Sequence, residues 1–183
     1  MSIGGGFAPR VPVGMGKMLF HSMGNMFSYL TNGATLNQNE SAINKCNYRG
    51  FSFAQSGNNY DGFEFLLPQN WDQRYLTCLI AWTSAATSGN LALNVQAIVR
   101  RNGDTFDQAF GTAFTINSPA PASAYNKVIT PEFGPIWPGG NIGLPATCEI
   151  RLSRNGGGPG DTLPGTAVIT SCSIYGWTTG GQP

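Results

Sequence analysis

The chain has 183 residues, of which 25 are glycine and 12 proline, and only 10% are charged, for a formal net charge of +1. Its basic residues stand singly or in the pairs Arg100, Arg101 and Arg151, Arg154. A nucleic-acid surface needs a basic stripe, and a membrane span needs roughly 18 continuous apolar residues; the sequence has neither. The length fits one domain, and a charge content far below the roughly 25% usual for soluble domains implies that part of the surface lies against another protein.

Residues 1–47 read as an arm. All five methionines, Met1, Met15, Met18, Met23 and Met26, lie there among glycines, with little β-branched content. Phe20, Met23, Phe27 and Leu30 recur at spacings of three and four, beside Leu19 and Met26, which predicts a short apolar helical stripe. Gly16 and Gly24 weaken it, since glycine costs about 1 kcal/mol relative to alanine in a helix. Flexible methionine and phenylalanine side chains adapt to a partner's groove. The expected partner-binding set is therefore Phe7, Met15, Met18, Leu19 and Phe20, continued by Met23, Met26, Phe27 and Leu30. A segment folded back on its own domain and a disordered tail are the alternatives to this intermolecular arm. The opening MSIGGGFAPRVP has neither the charged start nor the apolar run of a signal peptide, so folding in cytoplasm is expected.

Residues 48–183 read as β. Phe51 and Phe53 alternate, as do Phe63, Phe65 and Leu67 after the turn material SGNNYDG. Leu76, Cys78, Ile80 and Trp82 share one face of the next strand. After SGN, Leu91, Leu93, Val95, Ala97 and Val99 face opposite to Asn94, Gln96 and Arg100. Asn102-Gly103 signals a tight turn with positive φ, followed by strands near Ala113 to Asn117 and in YNKVITPEF. PIWPGGNIGLP, residues 135–145, is too rich in proline and glycine for regular structure. ATCEIRLSR places Cys148, Ile150 and Leu152 inward and Glu149, Arg151 and Ser153 outward. In TAVITSCSIYGW, Val168, Thr170, Cys172 and Ile174 lie opposite Ala167, Ile169, Tyr175 and Trp177. Roughly eight short strands without a helix after the arm predict an all-β, jelly-roll-like antiparallel β-sandwich with an extended N-terminal arm.

Few residues offer chemistry. The four cysteines, Cys46, Cys78, Cys148 and Cys172, form no CxxC pair, and three fall on predicted strands as small buried hydrophobes, with one disulfide the alternative if the chain matures outside a cell. His21 is the single histidine and sits in the arm, away from any nucleophile of the domain. A histidine-based metal site is excluded by count, and no cofactor motif is present. The acids Asp61, Glu64, Asp72, Asp104, Asp107, Glu132, Glu149 and Asp161 fall mostly in turns or on outward faces, where solvated carboxylates are usual. NGGGPG lacks the GK[ST] and the following helix of a phosphate loop; it reads as a plain connection between two antiparallel neighbours. Trp71 and Trp137 are candidate aromatics for a ligand, including a glycan, or for an interface. The expectation is a protein that is not an enzyme.

Three stretches carry a family likeness: FEFLLPQNWD, TSGNLALNVQAIVRRNGDTFDQAFGTAFTI and CEIRLSRNGGGPGDTLPGTAVITSCSIYGW. From about Phe63 onward they resemble a β-sandwich domain of tailed-bacteriophage structural proteins, including head-decoration proteins and fibre tips. The matching positions are Ser88 to Asn90, Asp104, Asp107, Arg154, Asp161, Leu163 and Tyr175. The resemblance implies a virion protein forming a homotrimer and bound to the major capsid protein or another virion protein. Fibre tips usually follow a long repetitive shaft, so a compact sandwich with a sticky arm favours a capsid decoration (cement) protein; a short tail or head fibre, or an adaptor, is the alternative. In this reading Arg154 and Asp161 hold the glycine-rich loop by a charge-assisted bond, with Leu163 tucked beneath it.

Overall fold

The computed structural model describes residues 15–22, 26–40, 44–56 and 58–179, and these contain no helix. Their thirteen strands form two sheets facing each other as a jelly-roll-like β-sandwich. Sheet A holds β1 (Met15–Ser22), β3 (Thr35–Glu40), β4 (Asn47–Phe53), β6 (Leu76–Ser84), β9 (Val128–Ile129), β10 (Phe133–Ile136) and β13 (Ala167–Thr179). Sheet B holds β2 (Phe27–Ser28), β5 (Asn58–Leu66), β7 (Asn90–Arg101), β8 (Phe114–Pro119), β11 (Gly139–Gly140) and β12 (Ala146–Asn155). In sheet A, β13 pairs with β6 along one side and with β4 and then β1 along the other. In sheet B, β12 lies between β5 and β7, antiparallel to both.

The period of two fixes the core. Successive side chains on a strand point to opposite faces, so the alternating runs of β6, β7 and β12 each send one set inward. Leu76, Cys78, Ile80, Trp82, Leu91, Leu93, Val95, Cys148, Ile150 and Leu152 are accordingly buried between the sheets. Trp82 is the largest of them, and its indole Nε1 donates to Ser118 Oγ at 3.0 Å, which lets a polar handle sit in the core. Strand β13 departs from simple alternation. A β-bulge between Ile169 and Ser171 adds one residue, so Ala167 and Ile169 face inward before it and Cys172 and Ile174 after it. Val168 and Thr170 therefore do not share the inward face of Cys172.

The glycine-rich loop joins β12 to β13, which belong to different sheets; it crosses the edge of the sandwich instead of joining two neighbours in one sheet. The Arg154 and Asp161 pair is present there. Arg154 Nε and Nη2 donate to the Asp161 carboxylate at 2.7 and 2.8 Å. The other guanidinium N–H groups donate to the carbonyls of Phe53, Gly165 and Leu163. All five donors of a fully buried arginine are thus used. Leu163 is buried beside it, and the backbone N–H groups of Thr162 and Leu163 both donate to Asn90 O at 2.8 Å. A Cβ on Gly89, whose φ is +89°, would stand 2.3 Å from Thr162 O. The SGN and DTL stretches are therefore two halves of one clasp, and glycine is needed where they touch.

The segment read as an arm enters the sheets. β1 lies antiparallel on β13 from Met15↔Thr179 to Ser22↔Ser173, β2 on β5, and β3 on β4. The predicted helical stripe is not formed: Phe20 is in β1 and Phe27 in β2. An edge strand requires backbone pairing more than a β-rich composition, so glycine and methionine content did not reveal it. Strands β10 and β11 likewise form within the proline- and glycine-rich stretch; Gly139 and Gly140 pair in parallel with Ile98 and Val99. The turn at Asn102-Gly103 is present, with Gly103 at φ +88°. Strand β8 rejoins β7 only along residues 90–95, and residues 104–113 cross the outside of sheet B.

Candidate functional site

The outer face of sheet B gathers a set of interacting polar and aromatic side chains. Arg151, outward on β12, donates from Nε and Nη2 to Gln96 Oε1 at 3.2 and 2.7 Å. Its guanidinium lies 4.0 Å from the Phe110 ring centroid and 5.6 Å from that of Tyr60, a cation–π stack. Gln96 Nε2 donates to Gly111 O at 3.0 Å, and Gly111 N donates to Ala97 O at 2.9 Å. These bonds hold the 104–113 segment across the sheet.

One step along β12, Glu149 Oε2 accepts from Arg100 Nη1 at 2.7 Å and Oε1 accepts from the Tyr29 hydroxyl. Burial, reinforced by that carboxylate, pushes the Tyr29 hydroxyl well above its ordinary range. Glu64 of β5 is directly across from Glu149 in the pairing and is exposed. Beside it stand two apolar side chains that open to solvent, Leu66 at 76% and Phe106 at 81%. Arg100 lies 5.7 Å from the Phe106 ring centroid, and its Nε is buried with no partner among the described residues. Glu64, Leu66, Arg100, Asn102, Phe106 and Thr147 line a cleft of about 380 Å³.

This cleft combines a phenyl face and a branched alkyl group with a carboxylate, an amide and guanidinium donors. It suits a flat ligand with an apolar face and a hydroxyl-bearing rim. Glu149 is committed to Arg100 and Tyr29, and a further carboxylate of the lining, Asp104, accepts from Arg101 N and Asn141 Nδ2. Among the described residues no cluster of three or more His, Cys, Asp or Glu side chains is placed to hold a metal ion.

The predicted partner-binding set divides. Phe7 and Met23 lie outside the described residues, and Met15 opens β1. Phe20 turns inward, edge-on to Trp71 with centroids 6.5 Å apart, and Met26 packs against the core. Met18, Leu19, Phe27 and Leu30 face solvent. Trp71 is 2% exposed, enclosed by its own chain, and so is unavailable as a ligand platform. Trp137 is 55% exposed and edge-on to Tyr75 at 5.4 Å. Cys78, Cys148 and Cys172 are buried and unbridged, with the Cys78 and Cys172 sulfurs 3.3 Å apart, while Cys46 is exposed. Burial, then the Cys172 thiol, pushes the Cys78 thiol well up.

Sequence names Glu64 among the acids, Arg100 in a basic pair and Asn102 in a turn, but does not bring them together as a site. Leu66 carried a weak signal, being apolar in the outward phase of FEFLLP. Phe106 gave none, because only the path of the 104–113 segment brings it to β5.

No protein-family model matches the chain, and no curated protein matches it. Among solved structures it is similar to dimeric latent PorU from Porphyromonas gingivalis, with 11% identity over 96% of this chain, 14% of that one, and a TM-score of 0.42. It is also similar to a family 11 carbohydrate-binding module from Clostridium thermocellum in complex with a β-1,3-1,4-mixed-linked tetrasaccharide, with 15% identity over 93% of this chain and 98% of that one, at a TM-score of 0.37. A third is CBM35 from Cellvibrio japonicus Abf62, with 11% identity over 89% of this chain and 100% of that one, at a TM-score of 0.39. The chain spans about one seventh of the PorU chain.

Proposed function

We propose that the chain is a non-enzymatic structural component of a tailed-bacteriophage virion, most concretely a homotrimeric capsid decoration (cement) protein. One observation carries this reading. Met18, Leu19, Phe27, Leu30 and Leu36 are all exposed and come from one border of the sandwich, where β1 and β3 end sheet A and β2 ends sheet B. Exposed apolar side chains scattered singly need no explanation, but five along one border suit a margin covered by another chain. With so little surface charge, covering this border against copies of the chain and against capsid protein supplies about 25 cal/mol per Å² before the costs of association.

The expected result is a native mass three times that of the chain, and immunogold label spread over phage heads. Leu19→Glu with Leu30→Glu should reduce both the trimer and particle retention at least tenfold while leaving the thermal midpoint within a few degrees, since surface substitutions change stability by about 0.5 kcal/mol or less. Label confined to tails would favour the fibre or adaptor reading. Unlabelled particles would reject the virion role.

The cleft around Phe106 favours a second reading, a glycan-binding sandwich on a fibre. Phe106→Ala and Glu64→Gln should then each weaken retention on immobilised host polysaccharide about tenfold with no change in melting. Equal retention of wild type and both variants would dismiss the cleft as a glycan site.

A further inference from the structure

Trp137 is held out to solvent on a fixed backbone. It is 55% exposed and lies between β10 and β11, where its loop crosses the 104–113 segment. A Cβ on Gly111 would stand 1.9 Å from Trp137 O, and one on Gly139 would stand 2.3 Å from Ala109 O. Only glycine lets two backbones approach so closely. Gly139 and Gly140 then pair with Ile98 and Val99, which anchors the end of the loop to sheet B. Two close glycine contacts and a strand pairing thus fix the segment that presents an exposed indole.

The Trp137 ring is edge-on to Tyr75, with centroids 5.4 Å apart and planes at 67°. Tyr75 also lines an open pocket of about 380 Å³ together with Thr77, Glu132 and Phe133. Thr77 points outward from β6, between the buried Leu76 and Cys78. Its hydroxyl donates to Glu132 Oε1, and Lys17 Nζ of β1 donates to Glu132 Oε2. Lys17 Nζ lies 5.0 Å from the ring centroid of Tyr175, the residue paired with Thr77. The Lys17 and Glu132 side chains are still about one third exposed, so the ammonium and the carboxylate keep hydrogen-bonding capacity toward solvent.

The geometry points to a binding site for a neutral hexopyranose. Trp137 and Tyr75 supply rigid aromatic surface for the C–H face of the ring, at little cost in side-chain entropy. Glu132, Lys17 and Thr77 supply an acceptor, a donor and a hydroxyl for its rim. A sugar hydroxyl both donates and accepts, so it suits an ion pair whose two charges stand together; an anion or a cation would meet the like charge of one member. The volume is within the range of small-molecule sites. A protein partner fits less well, because the cores of protein interfaces are depleted in lysine and glutamate. The site shares no lining residue with the Phe106 cleft, and it rests on neither the virion nor the oligomeric reading.

The test is calorimetric titration of the full chain with cellotetraose, maltotetraose and β-1,4-galactotetraose, neutral oligosaccharides that differ in linkage or in one hydroxyl. At least one should bind at millimolar concentrations or below and change the tryptophan emission, since Trp71 and Trp82 are buried and Trp137 is open to the ligand. Trp137→Ala should weaken that binding at least tenfold, Trp137→Phe less, and Glu132→Gln severalfold, each with a thermal midpoint within a few degrees of wild type. A wild-type chain that binds none of the three overturns the site. Binding kept by Trp137→Ala and lost with Phe106→Ala moves the sugar to the cleft, which also overturns it. So does a chain that ignores all three sugars while Trp137→Ala loses particle retention, because Trp137 then belongs to a protein contact.

Discussion

Replacing Asp161 by alanine should lower the unfolding free energy by about 3–5 kcal/mol, the range for breaking a buried ion pair by removing one partner. For a chain of this size that corresponds to a fall of roughly 10 °C in thermal midpoint. The loss is large because of what remains. Arg154 is fully buried and cannot shed its proton, so without Asp161 its charge and the N–H groups of Nε and Nη2 that the carboxylate held face a dry interior. Its bonds to Phe53 O, Gly165 O and Leu163 O also tie together β4, β12 and the crossing loop. Asp161→Asn keeps one acceptor oxygen and should cost less than alanine; Arg154→Lys replaces five directed donors with a point charge and should cost nearly as much as alanine. Urea unfolding of the three variants measures this. An Asp161→Ala midpoint equal to wild type would mean that the clasp contributes nothing.

That pair was legible through the family likeness, whose matching positions include Arg154 and Asp161 on either side of a loop too rich in glycine to hold its own shape. The strand faces of β6, β7 and β12 were readable from the residues themselves: each alternates cleanly, and alternation is a local property. What depended on distant partners was not. The loop after Arg154 looks the same whether the next strand joins the same sheet or the other one, and only the pairing of β13 with β6 decides. The bulge at Ile169 and Ser171 changes face without changing composition. Phe20 and Phe27 sit seven positions apart, a spacing that suits two helical turns as well as two separate edge strands, and pairing with β13 and β5 selects the strands. The cleft is the extreme case, since Glu64, Arg100 and Phe106 come from two strands and a crossing segment that no local pattern connects.

Alternation also places Asp61 where a carboxylate is costly, and this sets the pH response of the fold. On β5 it is in the inward phase of Phe63 and Phe65 and is fully buried. Its Oδ1 accepts the Gly62 N–H at 2.8 Å, while Oδ2 has no partner among the described residues. Burial pushes the carboxyl from its ordinary 3.8 up to about 8, against a smaller downward pull from the Gly62 bond. Between those values the folded chain holds a proton that the unfolded chain has released, so raising pH favours unfolding. The group's contribution is complete below about pH 4, declines by at most about 1.4 kcal/mol per pH unit through the window, and is fully lost above about pH 8. Asp61→Asn keeps the acceptor for Gly62 and cannot ionise. Its stability should fall less than that of wild type between pH 5 and pH 8, and at pH 8 it should be the more stable of the two. Contributions from other titrating groups cancel in this difference, so parallel urea midpoints across the range would show that Asp61 reaches water when it ionises and imposes no such limit.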